Sequence, residues 1–169
     1  LYTMAVRMLG RDKRYAIEDP SYSKIEQVYA AEGVSVEKLA LGPDGIKSSA
    51  LWAYGGDVLH VTPFTSYPSG ITATASKRNE YIRWAAEHDA MVIEDDYNSE
   101  FSISTKNEDT LFLLEPKRHV IYMNTFSRTI SPSVRIGYMV LPELLCSTML
   151  EKTAFYSCTV PVFDQLVLA

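Results

Sequence analysis

The chain has 169 residues, enough for one domain whose core buries roughly 70% of its unfolded surface. With 47% apolar and 22% charged residues it has the composition of a soluble globular protein, not of a disordered chain. No apolar run approaches the ~20 residues a membrane span needs, no signal-peptide pattern opens the chain, and a net charge of -5 argues against these residues gripping nucleic acid by themselves.

Apolar residues at 1, 4, 5, 8 and 9 mark one face of an opening helix, which Gly10 ends. That helix starts in mid-pattern and 161–169 reads as an interrupted helix, so the chain is expected to begin and end inside a domain. Arg14-Tyr-Ala-Ile-Glu18 is a strand candidate, followed by a helix from 22 to about 31 with Pro20 in its first turn and Gly33 stopping it. Residues 34–41 alternate as a strand, 42–45 carry turn chemistry, and 46–56 read as a short helix ending at Gly55-Gly56. A strand at 57–62 leads into a Pro-rich loop at 63–70. Ser76 is expected to cap a helix running to about His88 with Ile82, Ala85 and Ala86 inward. Residues 90–94 form a buried strand and 99–118 are less regular.

The runs Val120-Ile-Tyr-Met123 and Ile136-Gly-Tyr-Met-Val-Leu141 each fit an interior strand covered on both faces, and Pro142 opens a last helix to about 156. Cys146 and Cys158 have no metal-ligand spacing and read as buried thiols of a cytosolic protein, not as a disulfide. Alternating helices and strands predict an α/β fold with a mainly parallel sheet, helices on both faces and functional residues at the carboxyl ends of strands. No repeat, low-complexity tract or linker divides the chain.

Unusual chemistry follows the strands. Between 120–123 and 136–141 lie the hydroxyls of Thr125, Ser127, Thr129, Ser131 and Ser133 and the guanidiniums of Arg128 and Arg135. Such donors at the end of a buried strand can hold a phosphate, although an ordinary Ser/Thr-rich connection with a solvated arginine has the same composition. Glu94-Asp-Asp96 places three carboxylates after an apolar strand, which calls for at least one cationic partner, a metal or a solvated turn. Two prolines and a glycine in Thr62-Pro-Phe-Thr-Ser-Tyr-Pro-Ser-Gly70 stiffen a turn.

Four of these segments, in order, resemble the large domain of fold-type-I pyridoxal-phosphate (PLP) proteins. The likeness is strongest to the aminotransferase-like domain of MocR-type transcription regulators of the GntR superfamily. The run Thr125-Phe-Ser-Arg-Thr-Ile-Ser-Pro-Ser-Val-Arg-Ile-Gly-Tyr138 resembles the cofactor-lysine segment. The resemblance implies that Thr125, Ser127 and Arg135 hold the phosphate and that Arg128 stands at the Schiff-base lysine position. Glu18-Asp-Pro-Ser-Tyr22 resembles the motif whose tyrosine lies against the cofactor ring, which assigns that role to Tyr22. The 62–70 loop resembles the Thr-Pro-x-x-x-(Tyr/Phe)-Pro-(Thr/Ser)-Gly signature, with Tyr67 where related aminotransferases carry an asparagine. In Val92-Ile-Glu-Asp-Asp-Tyr-Asn-Ser-Glu-Phe101 the resemblance gives Asp95 the pyridinium nitrogen and puts Tyr97 near the 3-oxygen.

Arginine stays protonated and is a poor nucleophile, so Arg128 is expected not to bond covalently to the cofactor. The resemblance then implies a PLP-binding effector domain that senses an amine or amino-acid ligand without transaminase turnover. It also implies a cytoplasmic homodimer, non-covalent cofactor, and DNA binding only through a module absent from these residues. The whole of 1–169 would be part of one such large domain, truncated at both ends, and inactive alone. The alternative is a fragment of a class I/II aminotransferase, which calls for lysine at 128. A generic nucleotide-binding α/β domain is disfavoured because no Gly-x-Gly-x-x-Gly or Walker pattern follows a strand.

Overall fold

The computed structural model describes residues 1–97 and 109–168. Seven strands form one sheet: β1 (Tyr15–Asp19), β2 (Val36–Gly42), β3 (Gly45–Ile46), β4 (Val58–Val61), β5 (Met91–Asp95), β6 (Val120–Thr125) and β7 (Gly137–Val140). Their spatial order is β3-β2-β1-β4-β5-β6-β7. The five strands β2, β1, β4, β5 and β6 are parallel, while β3 and β7 run antiparallel to β2 and β6 at the two edges. The chain crosses from β1 outward to β2 and returns to β4 on β1's other side, so the order reverses between β1 and β4. A crevice opens at such a reversal beyond the carboxyl ends of the strands.

Successive strand residues point to opposite faces, and in the interior strands β1, β4, β5 and β6 both faces are largely buried, which is why these runs read as continuous rather than alternating. On one face Ala16, Leu59, Val61, Val92 and Val120 pack under α3 (Ser48–Ala53), α4 (Ala75–His88) and α5 (Leu111–Leu114). On the other, Ile17, Val58, Ile93, Ile121 and Met123 pack under α1 (Tyr2–Leu9), α2 (Ser23–Ala31) and α7 (Glu143–Thr153). Two further helices are α6 (Phe126–Thr129), a single turn after β6, and α8 (Val162–Leu168).

Several expectations are corrected. Ile136–Leu141 is not an interior strand: its ordered part, β7, is an antiparallel edge strand of half-buried and exposed residues. Thr74, not Ser76, caps α4, its side chain accepting from the Lys77 amide. Ala86 is exposed and Ile82 half-buried, whereas Lys77, Arg78, Tyr81 and Trp84 are buried. Their polar ends explain this: Lys77 Nζ donates to Glu80 at 2.7 Å and Ser48 at 2.9 Å, and Arg78 Nη1 donates to the Ala73 carbonyl at 3.0 Å with its guanidinium over Phe64. Pro20 precedes α2 rather than entering it. The 46–56 helix is shorter, since Gly45 and Ile46 turn back as β3; Gly45 has φ 126°, and a Cβ there would meet the Tyr81 hydroxyl, which accepts from the Ile46 amide at 2.8 Å. Cys146 and Cys158 are both exposed free thiols, because α7 and the segment after it show little buried surface.

Candidate functional site

β1, β4, β5 and β6 are parallel, so the segments that follow them meet at one edge of the sheet. A cavity of about 510 Å³ lies there, lined by Tyr22 and Ile25 after β1, Thr62 and Tyr67 after β4, Asp95 and Tyr97 from β5, and Thr125, Ser127, Arg128 and Arg135 after β6. Tyr2 of α1 completes the lining. All seven residues singled out in the sequence therefore border one cavity, although they lie up to 113 positions apart (135 − 22).

Asp95 ends β5 on the cavity wall, 9% exposed. Its carboxylate accepts from the Tyr2 hydroxyl at 2.5 Å and lies 3.6 Å from His60 Nε2. Burial, and then the Asp95 charge, push the Tyr2 phenol well up, so it stays a donor. Behind it, Tyr29 is a buried phenol, also pushed well up by burial, and its hydroxyl lies 2.7 Å from His60 Nδ1. With Tyr29 donating, Nδ1 accepts, and the imidazole proton on Nε2 faces Asp95. Among the described residues, His60 Nε2 makes no hydrogen bond at this distance. Tyr2 and His60 were not foreseen from the sequence. A histidine inside the apolar strand Val58–Val61 was the one signal available for His60.

The three consecutive carboxylates separate. Glu94 points to the other face, fully buried, and accepts from the Leu111 and Phe112 amides at 2.8 and 3.0 Å, holding the start of α5. Asp96 accepts from the Tyr122 hydroxyl at 2.8 Å. Asn98, Ser99, Glu100 and Phe101 of the same motif lie outside the described residues. Burial pushes the Glu94 carboxyl up to about 7 despite its two amide partners. A carboxyl raised on folding binds more protons folded than unfolded between the two pKa values. Its contribution is therefore present below about 4.5 and lost as the pH climbs through about 7, at about 1.4 kcal/mol per pH unit. Glu94→Gln cannot titrate, and is expected to show a smaller drop in urea midpoint than the parent between about pH 5 and about pH 7.5. Equal drops in the two proteins would exclude this role.

Tyr97 donates to the Thr65 carbonyl at 2.9 Å, and burial raises its phenol, so the ring is pinned between the β4 and β5 loops. The Arg128 guanidinium lies over that ring, 5.6 Å from its centroid. Tyr22 and Tyr67 meet edge to face at 5.7 Å across the cavity mouth. The β4 loop is held from below by buried Glu18, which accepts from the Thr62 hydroxyl and the Ser66 hydroxyl, both at 2.6 Å.

The polar segment after β6 is ordered by its own hydroxyls. Thr125 Oγ1 donates to the Ile136 carbonyl at 3.0 Å and accepts from the Ser127 amide at 3.2 Å, capping the single turn of α6. This leaves Ser127 Oγ beside Arg135 Nη1, at 3.4 Å. Arg135 adopts φ 52°, a left-handed conformation that costs an arginine of order 1 kcal/mol and turns its side chain back toward Ser127. Among the described residues no helix is long and apolar enough to cross a membrane, and no group of three or more His, Cys, Asp or Glu could hold a metal ion.

No protein-family model matches the chain. By sequence it is 34% identical over 152 residues to YdeL, an uncharacterized HTH-type transcriptional regulator of Bacillus subtilis, covering 90% of this chain and 33% of that protein. It is 30% identical over 129 residues to MocR, a probable rhizopine catabolism regulatory protein of Rhizobium meliloti, covering 76% and 26%. The chain thus spans about a third or less of the length of these regulators. By structure it superposes with a TM-score of 0.79 and 27% identity on the kynurenine aminotransferase of Pyrococcus horikoshii, over 98% of this chain and 44% of that one. LysN, the α-aminoadipate aminotransferase of Thermus thermophilus, solved with N-(5'-phosphopyridoxyl)-L-leucine, gives a TM-score of 0.83 at 23% identity over 98% and 46%.

Proposed function

For a chain that belongs with the aminotransferase-like, fold-type-I domains of MocR-type transcription regulators, we propose a PLP-holding effector site that senses an amine or amino-acid ligand without turning it over. The observation that carries this reading is the convergence of Asp95, Ser127, Arg128 and Arg135 on one cavity at the carboxyl ends of β5 and β6.

The donor set suits PLP. Ser127 and Arg135 offer a hydroxyl and a guanidinium to a phosphate at one side, and Asp95 offers a carboxylate, backed by Tyr2 and His60, to a protonated ring nitrogen. Thr125 contributes by holding α6 and so placing Ser127. Tyr22 supplies an aromatic face. Bound there, the cofactor would supply an electrophilic carbonyl and an electron-withdrawing ring. No lysine is among the described residues that line the cavity, and Arg128 offers no nucleophilic amine, which favours non-covalent retention.

DNA binding would fall to a helix-turn-helix module outside these residues, a reading supported by the names of the regulator relatives, with the whole protein acting in the cytoplasm as a homodimer. Residues 1–169 would be one part of the large domain. The aminotransferase neighbours favour a second reading, a piece of a working transaminase, and this reading requires lysine at 128. The test is to add PLP to the full-length protein and to Arg128→Lys, treat both with borohydride, and weigh them by mass spectrometry. Both should bind the cofactor, with covalent trapping in the lysine variant alone. Binding by neither would sink the reading, and transamination by the parent would overturn its claim of sensing without turnover.

A further inference from the structure

We propose that Tyr2 and His60 are positioning residues for Asp95: they hold its carboxylate from behind through one oxygen and so present the other to a cationic ring N–H. This rests on the cofactor-site reading above and names the residues that give one wall of the cavity a preference for a ring nitrogen.

Two groups from different elements meet the same atom. The Tyr2 hydroxyl of α1 donates to Asp95 Oδ2 at 2.5 Å, and His60 Nε2 of β4 lies 3.6 Å from that same Oδ2. Among the described residues both contacts fall on Oδ2, which leaves Oδ1 to the cavity that Asp95 borders. The terminal torsion of an aspartate is broad, so a carboxylate without such partners turns freely, whereas one held at a single oxygen keeps the other aimed. His60 is itself held. Its Nδ1 faces the Tyr29 hydroxyl at 2.7 Å, and the rings of Tyr2 and Tyr29 pack edge-on against the imidazole at 5.1 and 5.7 Å. With Tyr29 donating, the imidazole proton stands on Nε2. That nitrogen is buried in a side chain 1% exposed, and among the described residues it makes no hydrogen bond. A buried donor without an acceptor is costly, and a histidine kept at this place in an apolar strand is explained if its N–H serves the Asp95 carboxylate.

The probes are PLP and 1-deazapyridoxal 5'-phosphate, in which a C–H replaces the ring nitrogen. Each is titrated calorimetrically into the full-length protein, Tyr2→Phe, His60→Ala and His60→Gln. The parent should bind PLP about 10-fold or more tightly than the deaza probe, the effect of one hydrogen bond between charged groups. Tyr2→Phe and His60→Ala should each cut that ratio by about 3-fold or more, and His60→Gln, whose amide offers an N–H in place of Nε2, should restore most of it. The ratio separates positioning from a structural role, because a loosened fold weakens both probes alike. A ratio unmoved in Tyr2→Phe, which deletes only a hydroxyl, or in a folded His60→Ala would overturn the inference. Equal affinity of the parent for the two probes would also overturn it while leaving the cofactor site standing. Failure of both probes to bind the parent would overturn both.

Discussion

Asp95→Asn is expected to weaken PLP binding by about 30-fold or more while leaving the protein folded. The substitution preserves shape and the acceptor for Tyr2 but removes the charge. Asp95 is 9% exposed at the cavity wall, so little water is present to replace it. Breaking a buried, hydrogen-bonded charge pair costs about 2–5 kcal/mol, and every 1.4 kcal/mol is a factor of ten in Kd. Tyr2 and His60 converge on this carboxylate from α1 and β4, which marks it as a held group and not as a solvated loop residue. Fluorescence titration of parent and variant gives the ratio, and circular dichroism checks the fold. An unchanged Kd in a folded variant would remove Asp95 from the cofactor site.

The largest effect on stability is expected at Trp84. It is fully buried on α4, stacked between Tyr54 at 5.6 Å and His88 at 5.2 Å, and its indole N–H donates to the Tyr54 carbonyl at 3.1 Å. Trp84→Ala removes the largest side chain of the core face beneath α3 and α4 and leaves that carbonyl without its donor. Truncations of this kind cost about 3–5 kcal/mol, against about 5–15 kcal/mol for a whole domain. The urea midpoint should fall by at least about 1 M at ordinary m-values. A fall below about 0.3 M would mean that the helix repacks and that this cluster is not the centre of the core.

β1, β4, β5 and β6 were legible because each contains a short apolar run, a pattern that a strand covered on both faces has whatever its neighbours are, whereas β3 straddles an expected turn and helix and was missed. β7 was not legible as an edge strand. Its apolar spelling is that of an interior strand, and pairing to β6 alone is a property of the sheet order. The inward face of α4 was misread at Ala86 for a related reason. Lys77 and Arg78 are counted as exposed by their charge, yet partners from α3, from α4 itself and from the loop before it engage Lys77 Nζ and Arg78 Nη1 and let their stems be buried. The exposed Cys146 and Cys158 show the converse, small apolar side chains left on a helix and a tail that cover little core.

For the site, composition and spelling determined which segments carry chemistry: hydroxyls and guanidiniums after β6, carboxylates after β5, a rigid Pro-Gly loop after β4. Those are local properties, set by residue types a few positions apart. Which of them meet was decided by the tertiary structure, because parallel strands bring their carboxyl ends to one edge whatever the length of chain between them. Tyr2 reaches Asp95 across 93 positions and Glu18 holds the β4 loop across 44 and 48, and His60, opposite Ile93 in the β4–β5 register, lies near Asp95 two residues further along β5. No local pattern encodes contacts of that range, since they depend on strand order, and strand order follows from how the whole set of apolar faces is buried at once.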